Sequence, residues 1–482
     1  MQSRRDRVMA HNFTVGRLGT AMLEADPDAV DAPMRRTRTG TYVGMAIGAL
    51  ICIGFLVFGL IFPGGATSWR QEGRIVIDRD GGATYLYSGG VLRPVANLAS
   101  AKLAVGEGAA TSLVSQRSLE GETMGGPVGI AGAPDGLPEA GTQGTWRLCA
   151  VAPVGEEDAP RGRTALVVGE APDPWVVGSG DGVLVSGPDG TPYLLWQGTR
   201  LRMDEEAGGV QALGYGTTPA LPVDSAFLNT VPEGPDLVAP EVAGAGEEGR
   251  ELAGSTRSVG QVFAVSAPGQ EDQHYLLTRD GLAPLTLTQA LLLLGDTAVS
   301  GPAYGDASPE PVPLASAEVH ANLAADPATP DAAQGLPPAP PTALEVGAGV
   351  PCLRWEADGS MAMTMDAPSG IRAWPVQERP FVEPGCPTPA LVGIPAGQGG
   401  VVRARPVAGT DAAPTYYVVT DAAAKYPVAD TAALTALGYT EDEAVPLPTS
   451  LLRVLPTGPL LSQEAASLPL ASSPRGGGTA CP

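Results

Sequence analysis

The sequence predicts a β-rich α+β protein with an N-terminal helix, one membrane-spanning helix and an extracytoplasmic part built from four copies of a small unit. Three observations carry this. An uncharged run, "TYVGMAIGALICIGFLVFGLIF" (Thr41–Phe62), lies near the N-terminus. The tetrapeptide "ALGY" occurs twice, at Ala212–Tyr215 and Ala436–Tyr439. The 482 residues include 64 glycines and 48 prolines, which argues against long helices elsewhere.

The N-terminal segment, "SRRDRVMAHNFTVGRLGTAMLE", opens with Arg4, Arg5 and Arg7 and places Val8, Val15, Leu18 and Met22 on one helical face. It reads as a helix lying on the inner leaflet or docking on another membrane subunit. The apolar run that follows is long enough to cross a hydrocarbon core of about 30 Å. It is longer than the core of a signal peptide, about 40 residues precede it, and no good cleavage site follows. Cys52 sits mid-span after Ile51, which does not suit a lipoprotein. Arg35, Arg36 and Arg38 precede the span, and Trp69 follows at the expected interface. The positive-inside rule therefore places the N-terminus in the cytoplasm and the rest outside.

The ALGY match extends without a gap. At a constant spacing of 224 residues, Thr191 meets Thr415, Tyr193 meets Tyr417 and Pro222 meets Pro446. Further on, "VPEGPDL" meets "LPTGPLL", with Pro232, Gly234 and Pro235 on Pro456, Gly458 and Pro459. Weaker echoes start at Tyr85 ("YLYSGGVLRPVANLASAKLAVG") and Tyr275 ("YLLTRDGLAPLTLTQALLLLG"). Each copy opens as a β-hairpin: a tyrosine, an apolar pair, a turn signal, then a second apolar run. The tails "NLASAKLAV", "TLTQALLLL" and "DTAALTALGY" read as short apolar helices or strands. The stretch Gly301–Val346 is rich in alanine and proline and reads as a mostly irregular linker. "GQGGVVRARP", before the last copy, reads as a turn entering a strand.

Four cysteines lie beyond the span: Cys149, Cys352, Cys386 and Cys481. Outside the cytoplasm a disulfide framework is the default. "WRLCAVA" and "VPCLRWEA" both look like core strands, so we pair Cys149 with Cys352. Cys386 and Cys481 lie in loop-like sequence and would tie down the tail. Four cysteines allow three connectivities, and spacing does not choose among them.

No catalytic constellation is visible. The net charge is −23, and residues 1–41 hold seven arginines against five acids. The acid excess thus lies wholly beyond the span, where it repels phosphates and excludes nucleic-acid binding. "GAGEEG" (Gly244–Gly249) fits G-x-G-x-x-G, but no convincing strand precedes it, and Glu247 and Glu248 repel a pyrophosphate. Lysine occurs only at Lys102 and Lys425, neither in a phosphate-loop context, and no G-x-S-x-G elbow exists. His274 reads as flanking a strand and His320 as part of the linker. We expect no cofactor and no metal. A different class of function, cell-wall glycan binding, rests on Trp175, Trp196, Trp355 and Trp374 as sugar-stacking rings, against the plainer reading of these as core residues.

Taken together, "RDRVMAHNFTVGRLGTAML", "MRRTR" before the span, "GRIVIDRDGGATYLYSGGVLRPVANLASAKLAVG", the "WRLC" and "PCLRW" pair and the closing "YYVVTDAAAKYPVADTAALTALGY" through "LPTGPLLSQEAA" resemble the EccB family, the membrane-anchored core component of type VII (ESX) secretion in actinobacteria. The resemblance covers nearly the whole chain. It implies a central β domain surrounded by four repeat domains, with a disulfide across the centre that Cys149 and Cys352 match. The pairing of Cys386 and Cys481 is not part of that pattern. It also implies partners: an EccC-type FtsK/SpoIIIE ATPase, EccD, EccE, the mycosin protease and other copies of the ectodomain. Some family members carry an ATPase label, which nothing in this sequence supports. The expected boundaries are 1–40 for the cytoplasmic segment and 41–62 for the span. Repeats follow at 63–110, 191–240, 241–300 and 411–465. The central domain takes 111–190 and 347–410, the linker 301–346 and the tail 466–482.

Overall fold

The structure is a computed structural model, which describes residues 4–24, 34–61, 67–140, 144–152, 162–172, 174–205, 208–325, 335–345, 347, 349–405 and 414–470. Two compact units emerge. The smaller comprises residues 1–70, 78–81 and 113–122, and the larger holds the rest. The smaller unit contributes two long helices, Arg4–Glu24 and Met34–Ile61. In the first, Val8, Val15, Leu18 and Met22 are all exposed, as an unpartnered apolar stripe should be.

The larger unit is β-rich and built on one repeated plan. In the fourth module the strands Gly400–Arg405, Tyr416–Thr420 and Ala424–Val428 run antiparallel in succession. A helix, Thr431–Leu437, then carries the chain across to Val445–Pro448, which lies parallel to the first strand. The strand order is thus third, second, first, fourth. The second module repeats this with Asp181–Ser186, Pro192–Trp196, Thr199–Arg202, the helix Gly209–Ala212 and Leu221–Pro222. The third uses Val262–Val265, Gln273–Thr278, Gly281–Leu285, the helix Leu287–Gly295 and Val312–Pro313. The first uses Arg74–Asp78, Thr84–Ser88, Val91–Pro94, the helix Leu98–Val105 and Thr111–Val114, with the strand ends Asp78 and Leu113–Val114 counted in the smaller unit.

Local sequence explains the helices. Asn97, Thr286 and Asp430 each turn a side-chain oxygen to a backbone N–H in the first turn, satisfying a donor that has no partner within the helix. The apolar tails are therefore helices rather than strands.

After its fourth strand each module sends the chain back along the free edge of the third strand. Parallel bridges mark this return at Val95–Val128, Met203–Leu237, Leu282–Leu323 and Val428–Leu461. The P-x-G-P glycines of the two closest copies sit on these returns. A Cβ on Gly234 would lie 2.5 Å from Leu201 Cδ2, and one on Gly458 would lie 2.2 Å from Tyr426 Cε1. Glycine is needed there because the Leu201 and Tyr426 side chains of the third strand already fill the space a Cβ would take. Gly458→Ala is expected to destabilise the protein by about 1–3 kcal/mol through overpacking, read as a lower urea midpoint. An unchanged midpoint would mean that the return strand shifts without cost.

The boundaries move. Each module extends through its return, so 111–112 and 123–128 belong to the first module rather than to the central domain. The first strands of the second and fourth modules likewise begin before 191 and 411. The stretch 301–346 is not an irregular linker, although 326–334 and 346 lie outside the described residues. Val312–Pro313 closes the third sheet, Ser316–Asn322 is a helix, and Thr342–Ala343 pairs with Asp181–Gly182. Of its prolines, Pro313 lies in the edge strand Val312–Pro313, where a missing N–H costs nothing, and Pro302 lies inside the helix Thr297–Tyr304.

Of the remaining described strands, Glu248–Leu252 and Ser255–Ser258 pair as a two-stranded sheet, and seven others form the central sheet. Its order is Trp374–Pro375, Leu391–Gly393, Arg163–Val168, Trp146–Val151, Val350–Trp355, Met361–Asp366 and Trp175–Val176. One face carries Trp146, Leu148, Leu166, Leu353 and Met363. It shares a core with Phe227 of the second module and Leu447 and Leu451 of the fourth. The first and third modules stand further out. Ala99 and Leu103 pack with Leu434 and Leu437 of the fourth module, and Leu292 packs with Leu194 and Leu213 of the second. The chain thus runs twice through one path: outer module, central strands, inner module.

Candidate functional site

The structural centre is the middle pair of the seven-stranded sheet. Cys149 and Cys352 face each other directly in antiparallel register, and their sulfurs are bonded. Both residues are buried. On the same face, two residues along the strand, lies Arg147. Its Nη1 donates to Asp366 Oδ2 at 2.6 Å, its Nε to the Gly169 carbonyl at 3.2 Å and its Nη2 to the Gly370 carbonyl at 3.4 Å. Asp366 also accepts from Thr364 Oγ1 at 2.8 Å. The two side chains are 2% and 0% exposed. A buried guanidinium is tolerable only because every side of it meets an acceptor. Cys149, Cys352 and Asp366 bring ligand-type atoms within 4.8 Å of one another, but the sulfurs are bonded to each other and the carboxylate to Arg147. Those atoms brace the sheet rather than hold an ion.

The other expected site residues are dispersed. Cys386 is disulfide-bonded, and Cys481 lies outside the described residues. Arg35, Arg36 and Arg38 fall at the start of the helix Met34–Ile61, whose stretch Thr37–Phe58 is long and apolar enough to cross a membrane. Trp69 is a correction. It was expected at the water–lipid interface, yet it is fully buried, with the Arg70 guanidinium 5.5 Å from the ring centre. Complete burial removes more of a large ring from water than an interfacial site does. "GAGEEG" runs into the strand Glu248–Leu252 instead of a helix, and Glu247 is ion-paired with Arg279. A dinucleotide loop needs a helix N-terminus at that point. His274 sits within the strand Gln273–Thr278 and His320 in the helix Ser316–Asn322. Of the four tryptophans, Trp355 is core, Trp196 donates its Nε1–H to the Ser179 carbonyl, and Trp175 and Trp374 are exposed on the two edge strands.

The buried pair Arg147–Asp366 was not foreseen. The available signal was an arginine between apolar residues in "WRLC": a charge inside a core strand requires a buried counter-charge.

Lys425 is a second buried cation. Its Nζ donates to the Leu455 carbonyl at 2.8 Å and to Thr457 Oγ1 at 2.6 Å. Burial lowers its pKa to about 8. The unfolded chain therefore holds more protons between that value and the ordinary lysine range, and stability should rise with pH across this window. Lys102, also lowered by burial, acts in the same direction. Above about pH 10 the buried tyrosines reverse the trend, because burial raises Tyr215, Tyr426 and Tyr439. Urea midpoints at pH 7, 8.5 and 9.5 should climb, and the climb should shrink in Lys425→Met. A flat wild-type profile would contradict this.

The sum is a membrane-anchored repeat protein: among the described residues, one apolar helix of spanning length, four copies of one β module, and a disulfide-braced central sheet. The family model for the type VII secretion system ESX-1 transport TM domain B, EccB, matches residues 1–473, and the chain belongs to that family. It is 29% identical over 304 residues to the "ESX-5 secretion system ATPase EccB5" of Mycobacterium marinum. That match covers 60% of this chain and 59% of the relative, so it spans less than two thirds of the relative's length. A longer match, 26% identical, covers 97% of this chain and 94% of the "ESX-2 secretion system ATPase EccB2" of Mycobacterium tuberculosis. Among solved structures, a chain of an intact ESX-5 inner membrane complex aligns with a TM-score of 0.63 at 22% identity, covering 100% of this chain and 98% of that one. At that identity the likeness concerns the fold.

Proposed function

We propose that this protein is a structural core subunit of an ESX inner-membrane secretion complex, anchored by Met34–Ile61 and bracing the assembly with its repeat-bearing part outside the cytoplasm. The observation that carries the reading is the build of the larger unit: its centre is committed to a disulfide and a fully satisfied ion pair, and four modules offer their surfaces around it. Such repeats provide extended faces for neighbours. The arginines before the span favour a cytoplasmic N-terminus. Partners on this reading are an FtsK/SpoIIIE-type ATPase (EccC), EccD, EccE, the mycosin protease and other copies of this chain. The relatives' names include "ATPase"; here nucleotide hydrolysis is assigned to the EccC-type partner, since "GAGEEG" leads into a strand.

Affinity purification of the tagged full chain from its native membranes in mild detergent tests this. Recovery of an FtsK/SpoIIIE-type ATPase and a multi-spanning partner in one large particle is expected. A lone monomer, stable in several detergents, would overturn it. The exposed Trp175 and Trp374 favour one other reading, cell-wall glycan binding. Retention of the purified larger unit on isolated cell wall, lost in Trp374→Ala, would support that instead.

A further inference from the structure

The two ALGY tyrosines make the same bond, and neither makes it within its own module. Tyr215 donates its hydroxyl hydrogen to the Pro341 carbonyl at 2.7 Å, and Tyr439 donates to the Pro138 carbonyl at 2.6 Å. Both tyrosines are buried. Pro138 and Pro341 lie in the two straps that leave an outer module and enter the central sheet. The first strap follows the return at Val128 and leads to Trp146–Val151, and the second follows the return at Leu323 and leads to Val350–Trp355. These are the strands that carry Cys149 and Cys352.

Beyond the pairing of Thr342–Ala343 with Asp181–Gly182, each strap is held by a further proline carbonyl. Pro134 accepts from the Ala99 N–H at 3.3 Å, in the first turn of the outer helix Leu98–Val105. Pro338 accepts from the N–H groups of Leu287 at 3.0 Å and Thr288 at 3.4 Å, in the first turn of the outer helix Leu287–Gly295. Each strap lowers one leucine into the core shared by its module pair, Leu137 in one case and Leu336 in the other. The correspondence holds although the straps differ in sequence, "APDGLPEAG" against "GLPPAPPTA".

We propose that the Tyr215 and Tyr439 hydroxyls are paired latches that clamp the two outer-to-central straps onto the inner modules, so that load on the first and third modules passes to the inner modules and not to the disulfide-bearing strands. The second strap also pairs with the second module through the Thr342 and Leu344 N–H groups, which donate to the Gly180 and Gly182 carbonyls at 2.8 Å, whereas the buried Pro138 and Pro341 carbonyls take their donor from a tyrosine. A buried phenol needs an acceptor just as strongly. Burial also raises the tyrosine pKa, to about 12 for Tyr215, so the hydroxyl stays protonated and donating into alkaline solution. The latch crosses from one half of the chain to the other in both directions, since the fourth module holds the strap after the first, and the second holds the strap after the third.

Hydrogen exchange on the full chain in detergent, followed by mass spectrometry, tests this. In Tyr439→Phe the non-proline amides of 135–140 should exchange about tenfold faster, as expected for a buried hydrogen bond lost, while 335–345 stays at the wild-type rate. Tyr215→Phe should do the converse. Pro138→Ala keeps the acceptor carbonyl and should stay close to wild type. Unchanged exchange in the straps, or acceleration spread evenly over the substituted module, would overturn the latch. So would Pro138→Ala matching Tyr439→Phe, because the ring packing and not the hydroxyl bond would then hold the strap.

Discussion

Asp366→Ala is expected to lower the unfolding free energy of the larger unit by about 3–5 kcal/mol, because it leaves a buried guanidinium without its counter-charge. Arg147 is 2% exposed on its side chain, so bulk water does not solvate it in place of the carboxylate. The Gly169 and Gly370 carbonyls remain, at 3.2 and 3.4 Å, but they supply dipoles rather than a charge. Thr364 Oγ1 loses its acceptor as well. The sign is settled by an asymmetry: a satisfied buried pair adds little over a well-packed apolar pair, whereas half a pair costs heavily. The double variant Arg147→Met, Asp366→Leu should therefore be more stable than Asp366→Ala. Urea midpoints of the full chain in detergent measure both. If Asp366→Ala matched wild type, Arg147 would have to reach solvent, which contradicts its burial.

That pair shows where sequence reading stops. Arg147 was legible as a charge among apolar residues, but its partner lies 219 positions away. Nothing local in "AMTMDAPSG" marks Asp366 as an interior carboxylate. The pairing exists only because Trp146–Val151 and Met361–Asp366 both flank Val350–Trp355. The opposite holds for Gly234 and Gly458. Their spacing was visible because each glycine is fixed by a contact within its own module, so both copies retain it. Hairpins were legible from alternating apolar runs and turn residues. Parallel crossovers were not, since Val445–Pro448 and Val312–Pro313 pair with strands far behind them in the chain. For that reason 301–346 was read as a linker, and for that reason the modules were read too short. The ALGY tyrosines fall between these cases. Their recurrence was plain, but their acceptors lie 126 and 301 residues away.

Removing the central disulfide with Cys149→Ala and Cys352→Ala is expected to cost about 5 kcal/mol in the chain-entropy model, since the bond closes a loop with a sequence separation of 203. That loop contains the whole second and third modules, which gain freedom in the unfolded chain when the link is absent. Both sulfurs are buried, at 0% and 1% exposure, so a reductant should leave the native bond intact and act only as the sheet opens. Wild type with dithiothreitol should therefore keep its native signal at low urea and then unfold near the midpoint of the double variant. Loss of native signal on adding reductant without urea would contradict the burial. The bond and the ion pair also share one face of the same strands, with the Asp366 carboxylate within 4.8 Å of the sulfurs. Neighbours this close couple. Once the disulfide is gone, the two strands can part locally and admit water to Arg147, so adding Asp366→Ala should cost less than it does alone. A strictly additive triple variant would mean that the bond restrains only the unfolded chain and contributes nothing to holding the strands together around the pair.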